Sequence, residues 1–295
     1  MFGFDFISKF FGYALGYLFE ITGNYGTAVI LFTLIVCVLS FPLSVKKYCA
    51  SSPNLRFEAK KEALKKQCGK DIRRFEHEQE ELAKKEGVNP VAGCMNLSVL
   101  FTFIIFGGVY STIQRPLSNV LHLSEDAVSE ATGMLNDDQR KQKGTDQLDI
   151  VRSFDELRPK LTMFSDEELN DISKLSSGFN FLGINLLNTP KYSNFSEMLW
   201  IFPFLSLIFS VIGTYVIQKN MGTTPDEQVG FAKYAIYLPS LLQVWFAYRV
   251  FAAVGICLIA NSFFNIFQSM ILEHFFSPFK KIAKQEQALF DKISS

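Results

Sequence analysis

Long uncharged, apolar runs alternate with segments dense in Lys, Arg, Asp and Glu, and this segregation leaves the chain of 295 residues few places to fold other than a bilayer. A hydrocarbon layer about 30 Å thick needs roughly 20 consecutive apolar residues to cross it as a helix. Four blocks reach that length: Tyr25 to Val45, Gly93 to Gln114, Met198 to Ile217, and Val229 to Leu272. The last is about twice a spanning length, and Arg249 falls inside it. A guanidinium at mid-bilayer costs roughly 3 kcal/mol on insertion scales, so a turn near Arg249 is the cheaper arrangement, with burial of the charge inside a bundle as the alternative. The expected fold is an all-α membrane protein with five transmembrane helices over 23–45, 93–114, 197–218, 231–249 and 251–273. The formal net charge of zero hides this division, because 29 Lys and Arg balance 29 Asp and Glu only on average.

The polar segments set the orientation. Residues 1–22 are apolar but lack the basic head and small-residue cleavage site of a secretion signal. Asp5, Lys9 and Glu20 break up a field of phenylalanines, which suits an amphipathic helix lying in the headgroup region better than an uncleaved anchor. The segment 46–92 is rich in Lys and Arg, and the tail 274–295 adds Lys280, Lys281, Lys284 and Lys292. Both are expected in the cytoplasm by the positive-inside rule, together with the short loop 219–230. The acidic segment 115–196 is then expected on the extracellular side of a plasma membrane, with the N-terminus outside. None of the five cysteines falls in the exported segment, so no structural disulfide is expected.

Within 46–92, helical patterns run from Pro53 to Lys66 and from Lys70 to Glu86, broken at Gly69 and stopped by Gly87 and Pro90. Leu55, Ala59 and Ala63 form one thin stripe, and Ile72, Phe75, Gln79 and Leu82 another, so a cytoplasmic helical hairpin with little buried surface is expected. The exported segment is too long for a bare connection and should hold helices of its own. Ser165 followed by Glu168 reads as a capping box opening one of them. His122, alone there, reads as surface decoration rather than a metal ligand.

Signatures of nucleotide, hydrolase and zinc chemistry are missing from the sequence. No cofactor, metal or DNA partner is expected, and no enzyme activity. No expected span carries an Asp or Glu at its middle, which disfavours a proton-coupled transporter. Small polar residues recur instead at helical spacing. Thr33, Cys37, Ser40 and Ser44 share one face of the first span, and Cys257, Asn261, Asn265 and Gln268 one face of the last. Asn96, Ser98 and Thr102 mark the second span, Ser206, Ser210 and Gly213 the third, and Ser240 and Gln243 the fourth. Hydroxyls commonly serve as glue between membrane helices. Three amides on one face are harder to satisfy by packing alone, so a water-accessible cavity is the second reading.

Two stretches resemble a known family. YGTAVILFTLIVCVLSFPLSVKK is similar to the first core span of the YidC-type (YidC/Oxa family) insertases, and GVNPVAGC (87–94) to the junction between their cytoplasmic hairpin and second core span. FLGINLLNTP, LPSLLQVWFAY and AVGICLIANSFFNIFQ continue the likeness through the later spans. The resemblance implies five core helices around a hydrophilic groove open to cytoplasm and lipid, in which client transmembrane segments are received before release into the bilayer. It places Thr33, Cys37, Ser40, Asn96, Ser98, Thr102, Ser206, Ser210, Gln243, Asn261, Asn265 and Gln268 in that groove. It also implies nascent membrane proteins and the lipid bilayer as partners, with the ribosome and the Sec translocon as further candidates.

Departures accompany the likeness. Cys37 stands where the family usually has an arginine, which implies a neutral groove. Asn96 and Thr102 replace prolines and Leu100 a glutamine, Phe251, Ala252 and Ala253 replace a Pro-Ala-Gly run, and Cys257 and Leu258 a Tyr-Trp pair. The exported segment exceeds that of Gram-positive members and falls far short of the large Gram-negative periplasmic domain, and a Gram-positive-type membrane is expected. A solute channel or transporter, and an assembly factor that binds nascent helices without inserting them, stand as the alternatives.

Overall fold

The computed structural model describes residues 2–50, 72–86, 107–140, 144–194, 198–220 and 237–276, with positions 60, 64 and 68. The chain forms two compact units, one of Met1–Val36, Thr102–Ser210 and Leu241–Ser262, the other of Cys37–Phe101, Val211–Ser240 and Phe263–Ser295.

The first unit opens with α1 (Phe2–Thr22). Gly23 ends it in the left-handed region, φ +62°, its amide donating to the Phe19 carbonyl at 2.8 Å. A residue with a Cβ takes that conformation reluctantly, which is why glycine stops helices so often. Asn24 starts α2 (Tyr25–Ala50) by accepting from the Thr27 amide at 3.1 Å. Along α1, Leu15 and Phe19 are buried while Phe10, Tyr13, Tyr17 and Ile21 stand exposed as one apolar stripe. On the buried side Gly12 and Gly16 let the helix approach the backbone of Asn119 and Val120.

The described residues of 115–140 and 144–194, called the insertion below, fold into helices of their own, as the length of this segment leads one to expect: α4 (Pro116–Asn119), α5 (Glu125–Gly133), α6 (Asp146–Arg152), α7 (Phe154–Leu157) and α8 (Asp166–Gly178). Ser165 and Glu168 make the expected capping box, the Ser165 amide donating to Glu168 Oε2 at 2.8 Å and Ser165 Oγ accepting from the Glu168 amide at 3.3 Å. A short antiparallel pair, β1 (Asn180–Phe181) and β2 (Ile184–Asn185), interrupts the all-helical pattern. It turns through Leu182 and Gly183, both at positive φ, the two-residue geometry that matches strand twist. Leu148, Val151, Phe154, Leu161, Ile172 and Phe179 fill the core of the insertion. His122 lies exposed on the surface, as expected. Its ring stacks on Tyr13 with centroids 3.8 Å apart, and partial burial, aided by the Lys9 charge, holds its pKa below the usual histidine range.

After a 3-10 turn at Met198–Trp200 come α9 (Ile201–Asn220), α10 (Leu238–Arg249) and α11 (Ala252–Phe276). The expected break in the long apolar block is present: α10 ends on Arg249, whose guanidinium lies 4.9 Å from the centroid of the Trp245 ring. Among the described residues three helices are long and apolar enough to cross a membrane: Tyr25–Lys46, Met198–Lys219 and Ala252–Phe276. Of the expected span 93–114 only 107–114 is described, and it is helical; of 231–249 the description starts at 237. Residues 221–236, the first half of the cytoplasmic hairpin apart from positions 60, 64 and 68, and the tail beyond 276 lie outside the described residues. Leu34, Ile35, Phe204, Ile208, Leu241, Leu242 and Trp245 present large apolar surfaces outward. Such belts suit lipid.

In the second unit, Pro42 sits inside α2 and removes one backbone donor. The Tyr48 hydroxyl donates to the Glu273 carboxylate, and Phe41 meets Phe276 edge-on at 6.5 Å. Within the segment 46–92, Ile72–Glu86 forms α3, with Phe75, Gln79 and Leu82 half-buried along it. Cys68 Sγ lies 3.8 Å from Glu78 Oε2, and Arg74 Nε donates to Oε1 of the same carboxylate at 2.7 Å, which lowers the Glu78 pKa.

A Cβ built on Gly12 would stand 1.9 Å from the Asn119 carbonyl oxygen. Gly12→Ala therefore forces α1 off the insertion. The expected cost is about 1–3 kcal/mol, seen as faster hydrogen exchange along α1 and an earlier thermal transition; an unchanged exchange pattern would contradict the packing described.

Candidate functional site

The polar residues of the first unit meet at Gln243. Its side-chain nitrogen on α10 donates to Ser206 Oγ on α9 at 3.1 Å and to Ser262 Oγ on α11 at 2.8 Å. Ser206 and Ser262 are buried and Gln243 half-buried. One amide thus finds its partners on two neighbouring apolar helices. Without such partners an amide in hydrocarbon would lose several kcal/mol of hydration. Nearby in the same unit, Thr33 Oγ1 on α2 donates to the Val29 carbonyl at 2.7 Å and lies 3.5 Å from Cys257 Sγ on α11. Both are buried.

Of the residues expected to line a groove, Thr33, Ser206 and Gln243 make the bonds just described, and Ser210 and Asn261 are half-buried in the same unit. Cys37, Ser40, Asn265 and Gln268 belong to the second unit and are half-buried as well. The Ser40 carbonyl accepts from the Ser44 hydroxyl at 3.3 Å, a bond internal to the helix. Among the described residues the Gln268 side-chain nitrogen, which is buried, finds no hydrogen-bond partner. Asn96, Ser98 and Thr102 lie outside the described residues.

Ser262 was not singled out from the sequence, nor was Ser269, and both are buried. They are seven residues apart, on a face one residue round from the stripe of Asn261, Asn265 and Gln268. The heptad spacing was a readable signal, but amides, being costlier to bury than hydroxyls, drew the reading to the neighbouring face. A second hydroxyl pair, Thr214 with Ser240 at 3.1 Å, sits in the second unit; only Ser240 was anticipated. Hydroxyls and amides so placed can hydrogen-bond a polar group brought among them. Among the described residues no group of His, Cys, Asp or Glu is gathered closely enough to hold a metal ion.

Exposed apolar belts, long uncharged helices and a polar core linking them define a helical membrane protein. The chain matches the 60Kd inner membrane protein family over residues 17–280 and belongs to that family. Similar curated relatives are named membrane protein insertase YidC. The one from Granulibacter bethesdensis is 36% identical over 110 residues, 37% of this chain and 19% of that protein. The one from Agrobacterium fabrum is 35% identical over 113 residues, 38% of this chain and 19% of the relative, and the Zymomonas mobilis protein is 36% identical over 110 residues, 37% and 19%. The aligned stretch thus spans about a fifth of these relatives. No solved structure matches the chain. The YidC-type resemblance is therefore met, as is a bacterial membrane location. The expected Gram-positive setting finds no support, because these relatives come from Gram-negative proteobacteria.

Gln243→Leu removes both bonds of the amide but leaves two serines able to turn to carbonyls of their own helices. Such bonds between membrane helices average about 0.6 kcal/mol. The variant should therefore fold, its unfolding in detergent displaced by no more than about 2 kcal/mol; outright misfolding would show that the amide holds the helices together.

Proposed function

We propose that this protein is a membrane protein insertase and chaperone, taking transmembrane segments of nascent proteins into a hydrophilic groove open to cytoplasm and lipid and releasing them into the bilayer. The observation that carries this reading is the bridge from Gln243 to Ser206 and Ser262, which puts exchangeable hydrogen-bonding groups from three apolar helices at one place. Family membership and the names of the relatives agree with it.

In this reading five spans enclose the groove, with the N-terminus outside and the hairpin and C-terminal tail in the cytoplasm. The groove holds the residues expected from the sequence, with Ser262 added. An incoming segment carries unsatisfied backbone and polar flanks that hydrocarbon penalises by several kcal/mol per group. Serine and glutamine side chains lower that penalty while the apolar part moves sideways into lipid. The driving term is burial of client apolar surface, roughly 25 cal/mol per Å². No nucleotide or cofactor enters this scheme. The ribosome and the Sec translocon are proposed partners at the cytoplasmic face.

Reconstitution with a small single-span client, scored by protease protection, tests the reading. Unaltered protein should raise protection well above that of empty vesicles, and Gln243→Leu should lower it several-fold at equal protein content. Cys37→Arg should shift the preference toward clients with acidic tails, because the groove is otherwise neutral. Solute flux without any client protection would favour a channel, and client crosslinking without protection an assembly factor.

A further inference from the structure

A helix that crosses a bilayer ordinarily shows apolar side chains to lipid along its length. The first turns of α11 do not. From Phe251 to Leu258 every residue is buried, whereas Phe263, Phe267 and Met270 later in the same helix are exposed. Protein therefore encloses this end on all sides.

The insertion supplies part of that enclosure. The amides of Ala252 and Ala253, which would otherwise lack partners at a helix start, donate to the carbonyls of Asn188 at 2.9 Å and Leu186 at 3.1 Å. Arg152, at the end of α6, joins the same place. Its Nη1 donates to Asp149 Oδ1 at 2.7 Å, its Nη2 donates to the Leu187 carbonyl, and its guanidinium carbon lies 5.2 Å from the centroid of the Phe251 ring. The Asp149 side chain is fully buried, so this ion pair is not a surface ornament. Removing one partner of such a pair strands the other in a medium that does not solvate it.

The geometry points to the insertion as a clamp that positions and closes the first turns of α11, with Arg152 as the positioning residue that ties it to Phe251. Three properties of arginine are used at once: a charge facing Asp149, a second donor for the Leu187 carbonyl, and a flat face for an aromatic ring. The Phe251 ring is therefore part of the same device as the insertion. Cys257, buried five residues beyond Ala252, is a native reporter of whether the clamp is shut.

The inference takes α11 as a span, as the functional reading does, but client insertion enters neither of its readouts, so the two can fail separately. In the full chain with Cys49, Cys68 and Cys94 changed to serine, a membrane-impermeant maleimide is applied to vesicles from the side bearing the insertion, and labelling of Cys257 and Cys37 is quantified. Arg152→Met should raise the Cys257 rate about tenfold through local opening while Cys37 stays within about twofold. Cys257 unchanged, or both thiols rising together as in general loosening, would overturn the proposal. Hydrogen exchange of the unaltered protein decides the matter should Arg152→Met not fold: the Ala252 and Ala253 amides should exchange far more slowly than those of the Leu182–Gly183 turn, and equal rates would refute the clamp.

Discussion

A polar group surrounded by hydrocarbon has no water to turn to, and the structure is arranged around that fact. Gln243 finds its partners in serines on two other helices, Thr33 in its own helix and beside Cys257, and Thr214 in Ser240. These bonds add little net stability individually. Their importance lies in what they leave available, since a hydroxyl or amide paired with another side chain can change partners at small expense. A leucine seam would be as stable and would hold no exchangeable hydrogen-bonding group.

The insertion answers the same constraint at the other extreme. Its own core of Leu148, Val151, Phe154, Ile172 and Phe179 makes it a folded body, not a loose loop. It contacts the spanning helices through specific bonds: Asn24 to the Asn180 carbonyl at 2.7 Å, Tyr25 stacked on Phe179 at 4.1 Å, and the carbonyls of Leu186 and Asn188 on the start of α11. Polar backbone at a helix end is thereby satisfied by protein where lipid could not do so. Gly12 against the Asn119 backbone and Gly178 under the Phe19 ring bring α1 into the same body.

Much of this was legible in the sequence because a few residues carry unambiguous costs. A charge in an apolar run marks a turn, and α10 ends on Arg249. Serine three residues before glutamate marks a helix start, and α8 begins there. The helical nature of the insertion followed from its length and that cap. Its attachment did not, since the contacts of Arg152 with Leu187 and Phe251 join positions far apart in the chain, and nothing local encodes them. The identity of Ser262 was hidden for a subtler reason: a one-residue step turns a helix by about 100°, so adjacent polar residues occupy different faces and only packing decides which is buried. The two short strands escaped because their turn relies on Leu182 at positive φ, a residue with no turn preference.

The account stands on the claim that the polar junction of α9, α10 and α11 receives client segments. Placing a photoreactive residue at position 243 and, separately, at the lipid-exposed position 245, and irradiating membranes that carry a ribosome-stalled single-span client, addresses it most directly. The account predicts client adducts from position 243 and lipid adducts from position 245. Adducts from position 243 confined to the protein's own helices would show a closed packing seam and contradict it.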